Sequence, residues 1–198
     1  MVNTYKDSST PIKRLLMKVE NTRLKDVFII TPEIFGDDRG FFLESWNSKN
    51  FRSAGLDINF VQDNTSRSSK GILRGLHFQL NQPQGKLVKV SRGEVFDVAV
   101  DLRRSSPSFG QWFGIILNDV NHKMLWIPEG FAHGFCVTSS TADFQYKCTN
   151  YYDPDSEYTL AWNDPTVGIS WPLPDQKNPT LSGKDSNALA WPEIPFFD

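Results

Sequence analysis

The sequence predicts an all-β barrel or sandwich, on three observations. Short strand-like apolar runs recur from Val27 to Asn150, turn residues separate them every 8 to 12 positions, and one helical segment interrupts them. The period is clearest between Val95 and Leu102, where Phe96, Val98, Val100 and Leu102 face one way and Asp97 and Asp101 the other, as in a half-buried antiparallel strand. About eight to ten such strands need a second sheet or a closed barrel to bury their apolar faces. With 198 residues and 39% hydrophobic side chains, the chain is long enough for one domain with a full core.

The elements follow in order. Residues 1–25 are polar and aperiodic and are expected to form an N-terminal extension, with 26–198 as a single domain. Val27–Ile30 predicts a strand stopped by Thr31-Pro32; after a turn at Gly36–Gly40, Phe41–Trp46 predicts a second, with Phe42, Glu44 and Trp46 on one face. Ser48 is placed to cap a helix over Lys49–Ala54, which Gly55 ends as a left-handed residue. Strands then alternate with turns at Ser68–Gly71, Gln82–Gly85 and Ser91–Glu94, and further strands are expected at Gly110–Leu117, Lys123–Ile127, Gly134–Thr138 and Ala142–Asn150. The last forty residues are rich in Pro, Asp, Ser and Trp without a period and are expected to wrap the barrel as ordered loops and short helical turns.

Composition excludes several classes. A net charge of −2 gives no field for duplex nucleic acid, although a local Arg/Lys cluster can hold one small anionic ligand. In the first twenty-five residues the longest apolar run is Leu15-Leu16-Met17, so neither a signal peptide nor a membrane span is expected, and the cytoplasm is the expected location. Cys136 and Cys148 lie in apolar strand patterns without ligand spacing and are expected to be buried free thiols.

The chemistry concentrates in two stretches. Gly71–Gln79 and Gly85–Val90 put Arg74, His77 and Lys86 on neighbouring strands, and Ile127–Phe135 places His133 in a Pro-x-Gly-x-x-His turn. Lys86 shares parity with Val88 and Val90, and Tyr146 with Phe144 and Cys148, so both are expected to point inward; the alternative to a role in catalysis is a snorkelling lysine at Lys86 and plain core packing at Tyr146. His122, in a polar turn, is given no role. Counted from His77, Arg74 should face the opposite way; a bulge at Gly75 would bring both into one pocket.

Gly71-x5-His77 followed by Pro128-x-Gly130-x-x-His133 resembles the two-part motif of the cupin barrels, which are double-stranded β-helices of the jelly-roll kind. Metal-binding cupins continue the first part with His-x-His and a Glu. Gln79 stands where the second His belongs and no Glu follows in the turn, so the ligand set is two short of a usual site and no metal is expected. The resemblance narrows with Leu73–Gln79, Gln84–Val88, Ile127–Phe135 and Tyr146–Tyr152, which are similar in order and spacing to the dTDP-4-dehydrorhamnose 3,5-epimerase family from about Val27 to Asp185.

That resemblance implies a cofactor-free enzyme that inverts C3 and C5 of a dTDP-linked 4-keto-6-deoxyhexose on the route to dTDP-L-rhamnose. It makes His77 the base, Asp185 the carboxylate that orients it, Lys86 the holder of the enolate oxygen and Tyr146 the acid on the opposite face. It assigns substrate contacts to Arg39, Glu44, Gln62, Asp63, Asn64, Arg74, His133, Glu157 and Lys184, with Tyr152 stacking on thymine. It also implies a homodimer in which an N-terminal strand joins the neighbour's sheet, so that Arg39 and Glu44 serve the partner's site. The alternatives are a single-site 3- or 5-epimerase, which shares these residues, a metal-dependent cupin enzyme, and a non-catalytic sugar-binding barrel.

Overall fold

The strand patterns close into two antiparallel sheets in a computed structural model of the chain, which describes residues 16–173 and 178–198. One sheet has six strands in the order β1 (Met17–Asn21), β2 (Phe28–Pro32), β10 (Met124–Ile127), β7 (Lys86–Arg92), β12 (Thr141–Cys148) and β5 (Gln62–Ser69). The facing sheet runs β13 (Glu157–Thr159), β6 (Leu73–Gln79), β11 (Phe131–Val137), β8 (Glu94–Asp101) and β9 (Trp112–Asn118). The outcome is the expected cupin-type jelly roll.

Three apolar clusters follow from strand parity. Val88, Val90, Val95, Ala99, Leu125, Phe135 and Phe144 fill the space between the sheets. The outer face of the five-stranded sheet, with Leu76, Phe78, Val98, Val100 and Leu102, is covered by the C-terminal segment through Leu160, Val167 and Ile194, with Trp171, Trp191, Phe196 and Phe197 against them. Helix α1 (Ser48–Ser53) lays Phe51 on the outer face of the other sheet against Ile30, Leu87, Met124 and Trp126.

Several boundaries differ from the sequence expectations, each for a local reason. Residues 17–21, expected within an aperiodic extension, form the edge strand β1 paired with β2, and residues 1–15 lie outside the described chain. The strand expected over Phe41–Trp46 ends at Leu43: β4 (Gly40–Leu43) pairs with β3 (Ile34–Asp37) in a separate hairpin, and Glu44 turns away to accept hydrogen bonds from Asn47 and Asn50. Asn47, not Ser48, caps α1, its side chain accepting from the amides of Lys49 and Asn50; Gly55 follows the helix at φ 86°. Strand β8 is buried on both faces rather than one, because its Asp97 face lines the barrel interior and its Val98 face lies under the C-terminal segment. Cys136 and Cys148 are buried and free, as expected.

The bulge at Gly75 is present. Pairing of β6 with β11 steps from Phe135↔Arg74 to His133↔His77, three residues on one strand against two on the other. Gly75, at φ 122°, faces Gly134 so closely that a Cβ on it would lie 2.5 Å from the Gly134 Cα and 2.7 Å from the His133 carbonyl oxygen. Gly75→Ala is therefore expected to cost about 2–4 kcal/mol, since neither backbone can yield without moving His77 or His133. Thermal unfolding followed by circular dichroism checks this; an unchanged midpoint would refute the close approach.

Candidate active site

Four strands and a four-residue helix bring most of the singled-out side chains to one cavity between the sheets. His77 enters from β6 and His133 from β11, as cross-strand partners, while Lys86 and Tyr146 enter from β7 and β12 on the opposite wall. The inner part encloses about 230 Å³ and is also lined by Arg74, Ser66, Phe135, Phe144, Glu157 and Lys184. An outer part of about 290 Å³ shares His77, Lys86, Tyr146 and Glu157 and adds Gln62, Asn64, Gln84 and Tyr152.

The base-like geometry is at His77. Its Nε2 lies 2.6 Å from Oδ1 of Asp185, whose side chain is 3% exposed on α2 (Gly183–Ser186). Asp185 is itself held: the Ser182 hydroxyl donates to Oδ2 at 2.8 Å, the Gly75 amide donates to Oδ1, and Ser182 caps the helix by accepting from the Asp185 amide. Burial would raise the Asp185 pKa, but the bonds from His77 and Ser182 outweigh it and hold the group below the usual carboxylate value. An ionised carboxylate only accepts, so Nε2 carries the proton and Nδ1 keeps its lone pair. Burial also pushes the His77 pKa below the usual imidazole value, assisted by Lys184 and Lys86 and opposed by the Asp185 hydrogen bond.

The opposite wall supplies the acids. Burial lowers the Lys86 pKa, which makes its ammonium a stronger hydrogen-bond donor, and it raises that of Tyr146, which keeps the phenol protonated at neutral pH. At the mouth, Glu157 pairs with Lys184 and accepts a 2.8 Å hydrogen bond from the Tyr152 hydroxyl. Burial raises the Glu157 pKa, yet the bonds from Lys184 and Tyr152 bring it below its usual value. A neutral base on one wall facing a cation and a protonated phenol on the other can shift a proton on a carbon between them.

Two features escaped the sequence. His133 is tied at 2.9 Å to Asp97, which is fully buried and whose Oδ1 has no partner; alternation had placed Asp97 simply on the polar face. Gln79, at the position of a metal-binding cupin histidine, instead donates to the backbone oxygens of Gln82 and Tyr151 and accepts from the Asp153 amide, fixing the loop that carries Tyr152. Among the described residues no cluster of three His, Cys, Asp or Glu side chains is arranged to hold a metal.

Three singled-out residues lie away from this cavity. Arg39 sits at the exposed tip of the β3–β4 hairpin paired with Asp37, and Glu44 is engaged with Asn47 and Asn50. Asp63, with outward parity on β5, pairs with Lys147 over a separate groove that also contains Lys89 and Gln145.

The comparisons place the chain among the sugar-nucleotide epimerases with the cupin-type fold. Residues 21–193 match the family model described as dTDP-4-dehydrorhamnose 3,5-epimerase, and the chain belongs to that family. It is 52% identical to the Pseudomonas aeruginosa dTDP-4-dehydrorhamnose 3,5-epimerase over 91% of this chain and 99% of that one. It also resembles the crystal structure of a Legionella pneumophila 3,5-epimerase in complex with dTDP-4-keto-L-rhamnose, with a TM-score of 0.87, 53% identity, and coverage of 90% and 95%. A 3'-monoepimerase from Streptomyces bikiniensis in complex with dTDP-quinovose is more distant, with a TM-score of 0.79, 32% identity and 85% coverage of both chains.

The His77 environment sets a titration. Because burial disfavours the imidazolium, folding lowers its pKa, so stability attributable to this group is lost as pH falls through the unfolded value of about 6.5. NMR titration of the ring protons is expected to give a midpoint below that value, and Asp185→Asn, which removes the interaction raising it, to move it lower still.

Proposed function

We propose that the chain inverts C3 and C5 of dTDP-4-dehydro-6-deoxy-D-glucose, giving dTDP-4-dehydro-L-rhamnose for dTDP-L-rhamnose biosynthesis, without a cofactor. The observation that carries this reading is the His77–Asp185 pair facing Lys86 and Tyr146 across one cavity. The Nδ1 lone pair of His77 takes the proton from the carbon beside the C4 ketone; the C–H electrons form the C=C bond and the carbonyl electrons move to oxygen. The Lys86 ammonium stabilises that oxyanion, and Asp185 stabilises the imidazolium. Tyr146 then returns a proton to the carbon from the other wall, the carbonyl re-forms, and solvent restores the proton balance of His77 and Tyr146. Repetition at the second carbon completes the double inversion.

The mouth suits the rest of the substrate. Tyr152, half exposed and steadied through its hydroxyl by Glu157, offers a ring face to thymine. The Arg74 guanidinium can donate two hydrogen bonds to the diphosphate. Gln62, Asn64, His133 and Lys184 complete the contacts around the sugar and nucleotide.

We further propose a cytoplasmic homodimer in which Arg39, Glu44 and Asp63 contribute to nucleotide binding, Arg39 and Glu44 in the partner's site. The β3–β4 hairpin supports it, with Phe41 and Phe42 exposed at 61% and 66% beside Arg39, a patch that water leaves unsatisfied until another surface covers it. Among the described residues no helix is long and apolar enough to cross a membrane.

Proton NMR in D2O with EDTA-treated protein and dTDP-4-keto-6-deoxyglucose is expected to show loss of both the C3 and C5 signals. His77→Asn is expected to slow it by about 10³-fold or more; loss at one carbon alone would make the chain a monoepimerase. Mixing His77→Asn with Arg39→Ala chains under exchange is expected to restore up to about a quarter of wild-type activity, because half the dimers regain one intact site. No recovery would refute the shared site.

A further inference from the structure

Four of the described arginines are closed by an acid. Arg39, Arg52, Arg67 and Arg103 each bond a carboxylate, from Asp37, Asp57, Asp143 and Asp101 respectively. Arg74 is held differently: its Nε donates to the Ser68 hydroxyl at 3.0 Å, and among the described residues its two terminal nitrogens have no partner. Ser68 is 5% exposed, on the inward face of β5, whereas Arg74 belongs to β6 of the facing sheet. The bond therefore spans the two sheets at the edge of the cavity that holds His77 and Lys86.

We infer that Ser68 is a positioning residue that aims the Arg74 fork at the substrate diphosphate while leaving its charge unneutralised. This rests on the assignment of Arg74 to the diphosphate. A guanidinium carries donors along two edges; with Nε occupied, the open edge is the pair of terminal nitrogens, which fits two oxygens of a phosphate end-on. An unrestrained arginine loses considerable rotamer freedom on binding, and a fixed Nε removes part of that cost before the ligand arrives. A carboxylate would fix the side chain equally well, but it would compete with phosphate for the same donors and cancel the attraction. A hydroxyl fixes without competing. The neighbouring arginine on β5 shows the contrast, since Arg67 faces outward and is closed by Asp143 at 2.6 and 2.7 Å.

Isothermal titration with dTDP and with thymidine, together with steady-state kinetics, tests this. Ser68→Ala is expected to weaken dTDP binding and raise KM about fivefold, with thymidine affinity and kcat within about twofold of wild type. Ser68→Asp is expected to weaken dTDP by about tenfold or more, because the new carboxylate closes the fork. On an Arg74→Ala background, Ser68→Ala is expected to add nothing. Wild-type dTDP affinity in Ser68→Ala, with Arg74→Ala impaired, would overturn the positioning role; equal effects of Ser68→Ala and Ser68→Asp would overturn the argument from neutrality. Wild-type dTDP affinity in Arg74→Ala would instead remove the diphosphate assignment, and the inference with it.

Discussion

The site depends on the approach of two glycine backbones. Where Gly75 meets Gly134, β6 gains a residue over β11, and the extra residue rotates the strand so that Arg74 and His77, three apart, both face the cavity. A regular strand would send one of them outward. The same contact sets His77 beside His133 in register and points the Gly75 amide at Asp185. A side chain on either glycine would separate the strands, because the nearest atoms it meets are main-chain atoms that have nowhere to go.

Charge burial follows one rule throughout the barrel: an inward acid has a specific donor. Asp185 has His77 and Ser182, Asp97 has His133, and Asp101 takes bonds from Arg103, Ser106 and Ser108. The rule explains how a strand such as β8 can carry two aspartates on a face that lies inside the protein, since each desolvated carboxylate is matched by polar hydrogens fixed in place. Asp97 is the partial exception, with one buried oxygen unpaired.

What could be read from the sequence was whatever followed a period. The parity of Lys86 with Val88 and of Tyr146 with Phe144 is visible in a single strand, and both side chains do face the cavity. The irregularity at Gly75 was visible as a conflict between Arg74 and His77, which only an inserted residue resolves. Asp185 had no such signal: it lies 108 residues from His77 on a helix of four residues, and only family resemblance marked it. Strand β8 misled for the opposite reason, because alternation of Asp with Val describes a water-facing strand and an interior one with partners equally well. Asn47 outcompeted Ser48 as a cap because helix start is decided by which side chain reaches the free amides, a choice between adjacent residues that composition does not settle.

The C-terminal segment does two jobs at once. It covers the outer face of the five-stranded sheet with Val167, Trp171, Trp191 and Ile194, and between those anchors it carries the helix that delivers Asp185 to His77. Because these residues follow the barrel strands along the chain, the strands can pair and still leave the His77 imidazole with no carboxylate behind it. The His77–Asp185 contact therefore reports on the wrap: it exists only where the segment lies on the sheet, so packing on the outer face sets the hydrogen bonding of a side chain on the inner one.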